Sequence, residues 1–154
     1  MHTTDQDHAI HVIGIELRTT NNEAFETIPA HWQRFGAENV PAQVADRQGD
    51  TVYAVYTHFE HAGRNNQGLY SLVLGPAVAP GAAVPHGMVR VVVPASRRAV
   101  FPVEKGRLDR VAAEWQAIWQ RTDLRKTFVA DYERYSADGS IDILVGLEPA
   151  QTAE

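Results

Sequence analysis

The sequence predicts an α+β fold of two similar halves, each running strand, helix, strand, strand. Three observations carry this. Two segments place apolar residues at helical spacing, and each is flanked by runs with strand-like alternation. Short pieces of the first half return in the second in the same order. Ala30-His31-Trp32-Gln33 is echoed by Ala113-Glu114-Trp115-Gln116, VYAVYTHFE by FVADYERYS, and LVLG by LVG. A Pro- and Gly-rich connector, residues 76–87, lies between the halves. An ordinary α+β domain with coincidental tryptophans is the alternative, but a common order of matches repeats a whole supersecondary unit.

Taken in order, HVIGIEL (11–17) alternates His11, Ile13, Ile15 and Leu17 against Val12, Gly14 and Glu16, the pattern of a half-buried strand. Asn21 or Asn22 can cap the next segment, because a short amide accepts from free helical N–H groups. Phe25, Ile28, Trp32 and Phe35 then form one helical stripe. Pro29 interrupts it and removes one hydrogen bond, which predicts a kink or a late start. Gly36 is the expected stop, and residues 37–50 are polar with a turn-like Gly49-Asp50. VYAVYTHF (52–59) and LYSLVLG (69–75) read as strands joined by the hairpin loop HAGRNNQG.

After the connector, MVRVVV (88–93) reads as a strand, and SRRAVFPV continues or pairs near it. Leu108, Val111, Ala112, Trp115 and Trp119 form the strongest amphipathic helix. KTFVADYERY (126–135) and SIDILVGL (140–147) are strands around an Asp138-Gly139 turn. The polar first ten residues are expected to be disordered and 149–154 a flexible tail. That leaves one domain over 11–148, with modules of about 11–75 and 88–148.

Composition narrows the function classes. The chain has 154 residues, 44% hydrophobic, enough to bury a core. Its net charge of −5 argues against a nucleic-acid binder, since phosphate backbones need a basic face. There is no cysteine, which removes disulfides, thiolate metal sites and cysteine nucleophiles together. Seven histidines are scattered without clustering, so no metal site is expected. The G-x-S-x-G elbow, the Walker A loop and the dinucleotide glycine pattern are all missing, and no cofactor is implied. The N-terminal residues do not read as a signal peptide, and no apolar run is long enough to span a membrane; a cytoplasmic protein is expected.

The strand faces suggest chemistry. Ile141, Ile143, Val145 and Leu147 form one apolar face that should pack under helices. With Phe128 and Tyr132 in that same helix-covered core, Asp131 and Glu133 would project from the opposite face. Two such sheets side by side would enclose a cleft with aromatic walls and an acidic floor. Aromatic faces attract cations by about 0.5–2 kcal/mol per contact, and a desolvated carboxylate supplies the opposite charge. His31 is expected to be exposed on its helix, and Arg64, Arg97 and Arg98 to be solvated.

VIGIELRTTNNEAFETIPAHWQRF, VYAVYTHFE, GLYSLVLG, GMVRVVVPASRRAVF, VAAEWQAIWQ, TFVADYERY and IDILVGLE together resemble the GyrI-like effector-binding domains attached to AraC-type and MerR-type regulators. The similarity is greatest to free-standing members, including integron-cassette proteins that bind cationic drugs, and it spans about residues 11–148. It implies two β-α-β-β modules related by a pseudo-twofold axis, with a small-molecule cleft between them. It implies that Glu133, in the DYE segment, is the buried carboxylate facing a cationic or amphiphilic ligand. Aromatic candidates for the cleft are Tyr70 above all, then Trp32, Phe35, Tyr53, Trp115, Trp119 and Tyr135. The hairpin loop is longer and less acidic than the family pattern, with His58 where an acid is common.

The resemblance also leaves two rivals. One is a hydrolase of reactive natural products using Glu133 with a tyrosine as base and proton donor. The other is a protein-binding inhibitor or regulatory partner. No helix-turn-helix is read in the chain, so transcription regulation by direct DNA contact is not expected. Exposed sheet edges leave monomer and homodimer both open.

Overall fold

The computed structural model describes residues 1–150; the tail residues 151–154 lie outside the described part. The first module comprises β2 (Ile10–Thr19), α1 (Ala24–Ala37), the short α2 (Val40–Gln43), β3 (Arg47–Thr57) and β4 (Tyr70–Val78). The second comprises β6 (Ser96–Val103), a 3₁₀ turn (Leu108–Arg110) running into α3 (Val111–Trp119), β7 (Ala130–Tyr135) and β8 (Ile141–Leu147). Each module is preceded by a short strand, β1 (His2–Gln6) or β5 (Val89–Val93).

All eight strands join one antiparallel sheet in the order β1-β6-β8-β7-β3-β4-β2-β5. The modules meet at β3 and β7, with Val55 opposite Tyr132 at the middle of the seam. The strand order reads the same from either end, which is the pseudo-twofold expected. The echo of VYAVYTHFE in FVADYERYS is nevertheless out of step. It lays Val55 on Asp131, which faces the other side of the sheet, and a shift of one residue exchanges faces.

The N-terminal residues are a correction. Residues 2–6 form β1 and pair with β6, from His2 opposite Val100 to Gln6 opposite Ser96. β1 thus completes the second module, while β5 completes the first by pairing with β2. Only Pro94 and Ala95 separate β5 from β6, although these strands lie toward opposite ends of the sheet. The sheet must therefore curl. Val91 and Val93 of β5, Val100 of β6, Val55 of β3 and Tyr132 of β7 accordingly share one buried cluster on the helix-free face.

Arg98, expected in solvent, is 1% exposed and ties this curl together. Its Nε donates to Gln6 Oε1 (3.0 Å), its Nη1 to the Ala130 carbonyl (2.5 Å) and its Nη2 to the Pro94 carbonyl (2.9 Å). The guanidinium also stacks 5.3 Å from the centre of the Tyr132 ring. Burial lowers its pKa, with Asp131 opposing that shift.

The opposite face carries the helices. Ile141, Ile143, Val145 and Leu147 pack there against Trp115 and Ile118, as the alternation implies. Trp32, Phe35 and Ile28 of α1 cover Ile15, Leu72 and Leu74. His31 is buried beneath α1 rather than exposed, its Nε2 3.0 Å from the Ile15 carbonyl. Asn21 and Asn22 do not cap α1, whose N-cap is Glu23. Pro29 lies inside a helix that runs through it and past Gly36. Gly49-Asp50 sits within β3 as a register irregularity instead of a turn. Where β2 pairs with β4, a Cβ on Gly75 would lie 1.9 Å from the Ile13 carbonyl oxygen, so only glycine permits this close approach. Among the described residues, no helix is long and apolar enough to cross a membrane.

Candidate functional site

A cleft of about 780 Å³ opens on the helix-bearing face, between α1 and α3 and over the β3–β7 seam. Its volume is in the range of small-molecule sites. Strand alternation decides which residues form its floor. Asp131, Glu133 and Tyr135 point to this face, and Tyr132 between them points to the valine cluster. This reverses the expected arrangement: the acids share the face with the helices, and Tyr132 does not.

Glu133 is 2% exposed. Three aromatic side chains donate to its carboxylate. Tyr56 Oη lies 2.7 Å and Trp115 Nε1 2.6 Å from Oε2, and Tyr135 Oη lies 2.5 Å from Oε1. These donors come from β3, α3 and β7, so both modules build the site. Among the described residues no cationic side chain pairs with Glu133. Desolvation pushes its pKa above the ordinary carboxylate value, and the three hydrogen bonds oppose that rise. Burial and the neighbouring carboxylate in turn hold Tyr56 and Tyr135 well above the usual phenol value and push Tyr70 up to about 12. The tyrosines therefore remain protonated donors at neutral pH, and within this hydrogen-bonded cluster the glutamate is the group whose charge can change.

The aromatic wall is continuous. Trp115 stands edge-on to Tyr56 at 5.2 Å and lies 6.3 Å from Trp119. Tyr56 is 5.9 Å from Tyr70, which is 6.0 Å from Phe59. On the other flank, Trp32 stands edge-on to Tyr135 at 5.2 Å. The outer ends of the two helical stripes never reach the core. Phe25, Leu108 and Trp119 are 75%, 66% and 42% exposed, and all three line the cleft at its mouth.

Of the sequence candidates, the structure brings Glu133, Tyr70, Trp32, Trp115, Trp119 and Tyr135 together around this cleft. Tyr53 is a correction: it faces the other side of the sheet and packs on Tyr132 at 5.8 Å. Phe35 is another. It sits behind Trp32, edge-on at 5.5 Å, in the core and not on the cleft wall. Tyr56 of β3 takes the place on the cleft wall expected of Tyr53. The signal for it is the register: Tyr56 pairs with Asp131 and Ala54 with Glu133, so Tyr56 shares their face. Phe25, Phe59 and Asn66 also line it: Phe25 lies on the stripe of Trp32, while His58, in a left-handed backbone at φ 50°, breaks the alternation of the strand before Phe59.

Asp131 closes one end of the floor. It is 6% exposed, and its Oδ1 accepts the Gly146 N–H at 2.7 Å. Burial raises its pKa to about 6, opposed by that hydrogen bond and by the charges of Arg98 and Lys126. The β7–β8 ladder ends beside it at Tyr132 opposite Leu144. There, Arg98 takes the Ala130 carbonyl and Asp131 takes the Gly146 N–H, one from each face of the sheet. Phe128, which also lines the cleft, holds a left-handed backbone at φ 51°.

Comparison with known proteins agrees with this architecture. No curated protein sequence matches the chain significantly. An integron cassette protein from the mobile metagenome of Vibrio cholerae superposes with a TM-score of 0.72 at 18% identity, covering 96% of this chain and 95% of that one. A crystal structure of a Staphylococcus aureus MU50 protein superposes at 0.72 with 15% identity, covering 96% and 97%. SAV2435, solved bound to tetraphenylphosphonium, superposes at 0.76 with 14% identity, covering 96% and 93%. At these identities the superpositions establish the fold alone. The family model described as integron-associated effector binding protein matches residues 6–147, from the end of β1 through β8, and this chain belongs to that family.

Proposed function

We propose that this protein binds lipophilic organic cations in the aromatic cleft, with Glu133 as the charge that selects them. The observation that carries the reading is a carboxylate 2% exposed, held by three neutral donors and paired with no cation among the described residues. A buried charge without a counter-charge is costly, and a bound cation relieves that cost. Rings of Trp32, Tyr56, Tyr70, Trp115 and Trp119 around the same space suit a delocalised cation, at about 0.5–2 kcal/mol per good contact. The exposed apolar rim of Phe25, Leu108 and Trp119 suits the tail of an amphiphile. Membership of an effector-binding family and the tetraphenylphosphonium-bound SAV2435 support the same reading.

Calorimetric titration with tetraphenylphosphonium tests it, against a neutral tetraphenyl compound of the same shape. Glu133→Gln is expected to weaken the cation at least tenfold, about 1.4 kcal/mol, and to leave the neutral compound within twofold. Equal loss for both, or no loss for the cation, removes the charge argument.

A further inference from the structure

We infer that the cleft has a second anionic position at Asp131 and that its preferred ligands carry two positive groups about 7 Å apart; this rests on the cation-binding reading above. Asp131 and Glu133 are alternate residues of β7 and both line the cleft. Side chains two apart on a strand leave the same face about 7 Å apart. The two carboxylates are therefore presented side by side, with no intervening side chain on that face.

Asp131 is available for more than its structural contact. It is 94% buried, and only Oδ1 is engaged, by the Gly146 N–H. Among the described residues Oδ2 receives no hydrogen bond, although the side chain lines the cavity. The nearest cations do not neutralise it directly. Arg98 approaches from the opposite face of the sheet and gives its donors to Gln6, Ala130 and Pro94. Lys126 lines the same cleft, but its ammonium donates to the Arg121 carbonyl at 2.9 Å. Both raise the charged fraction of Asp131 without occupying its free oxygen. The lining of the cleft also includes the apolar Ile118, Phe128 and Val145. The two acids differ in their surroundings. Glu133 lies among donor aromatics and suits a delocalised or quaternary head. Asp131, with a free acceptor, suits a group that can donate, such as a primary ammonium or amidinium.

The test uses the intact protein and linear probes with a quaternary ammonium at one end and a primary ammonium at the other, joined by spacers of increasing length. Matched probes carry the quaternary end alone. The expected result is at least tenfold tighter binding of the double-headed probe, with an optimum when the spacer places the charges about 7 Å apart. Asp131→Asn keeps an oxygen for the Gly146 N–H. Both probes lose the long-range attraction of a charge about 7 Å away, but only the double-headed probe loses a direct partner, so the advantage of the double-headed over the single-headed probe is expected to fall at least tenfold. If the single-headed probe binds but the second charge adds nothing at any spacer length, the inference fails and the cation-binding reading stands. If Asp131→Asn weakens both probes alike, Asp131 is a structural clasp and the inference fails. If neither probe binds, both readings fail together. The spacer series needs no variant, so misfolding of a mutant cannot mask the outcome.

Discussion

The Trp115 indole N–H donates to Glu133 Oε2 at 2.6 Å, fixing a ring of α3 to a carboxylate of β7. The pair positions the charge and supplies part of the aromatic wall beside it. Trp115→Phe keeps the ring and removes the donor. Tetraphenylphosphonium affinity is expected to fall two- to tenfold at neutral pH, because one stabilising hydrogen bond of the charged form is gone. Calorimetry reads this directly, and affinity equal to wild type would show that the indole N–H contributes nothing.

Glu133 ties ligand affinity to pH. Its pKa in the free protein is raised, and a bound cation favours the charged form. Cation affinity should therefore rise with pH through the folded pKa of Glu133 and level off above it. Tyr135→Phe removes the donor to Oε1, so the rise should move to higher pH. Affinities measured across a pH series for both proteins check the shift; a profile that stays in place would deny Tyr135 this role.

Asp131 gives an opposite sign for stability. Its pKa rises from 3.8 unfolded to about 6 folded, so the fold prefers the protonated acid. The stability contribution is present below the unfolded pKa and is lost as pH climbs from about 4 to 6, by about 3 kcal/mol. Urea unfolding at a series of pH values should show Asp131→Asn without this decline. Parallel curves for the two proteins would place the slope elsewhere.

Arg98 should be costly to lose. Arg98→Ala strips donors from the Ala130 and Pro94 carbonyls and from Gln6, and opens a cavity beside Tyr132. A loss of about 3–5 kcal/mol is expected in urea unfolding. Removing residues 1–6 should also destabilise the protein, since β1 covers the edge of β6. An unchanged midpoint after that truncation would mean that β1 adds no stability.

Gly75 is a steric test of the sheet. Gly75→Ala places a methyl 1.9 Å from the Ile13 carbonyl oxygen, against the β2 backbone at Ile13 and Gly14. The strands must separate, so a loss of at least about 2 kcal/mol is expected. Gly36, whose Cβ would meet nothing, provides the contrast: Gly36→Ala should be neutral or slightly stabilising.

The sequence by itself determined the α+β class, the repeated module, most strands to within a few residues and the apolar face of β8. These are local properties, set by alternation, helical spacing and turn residues. It also singled out Glu133, through resemblance and not through periodicity. Tertiary structure decided which face of β7 is covered by helices. Alternation divides Asp131, Glu133 and Tyr135 from Tyr132 but cannot say which side the helices take. For the same reason alternation separates Tyr53 from Tyr56 but does not say which of them meets Glu133; the β3–β7 register decides for Tyr56. The roles of His2–Gln6 and Arg98 were invisible locally, because a polar segment and an arginine read as solvated until a distant strand edge and three carbonyl or amide oxygens engage them. Burial of polar groups depends on partners far along the chain, and the chain reveals those partners only once the sheet has curled.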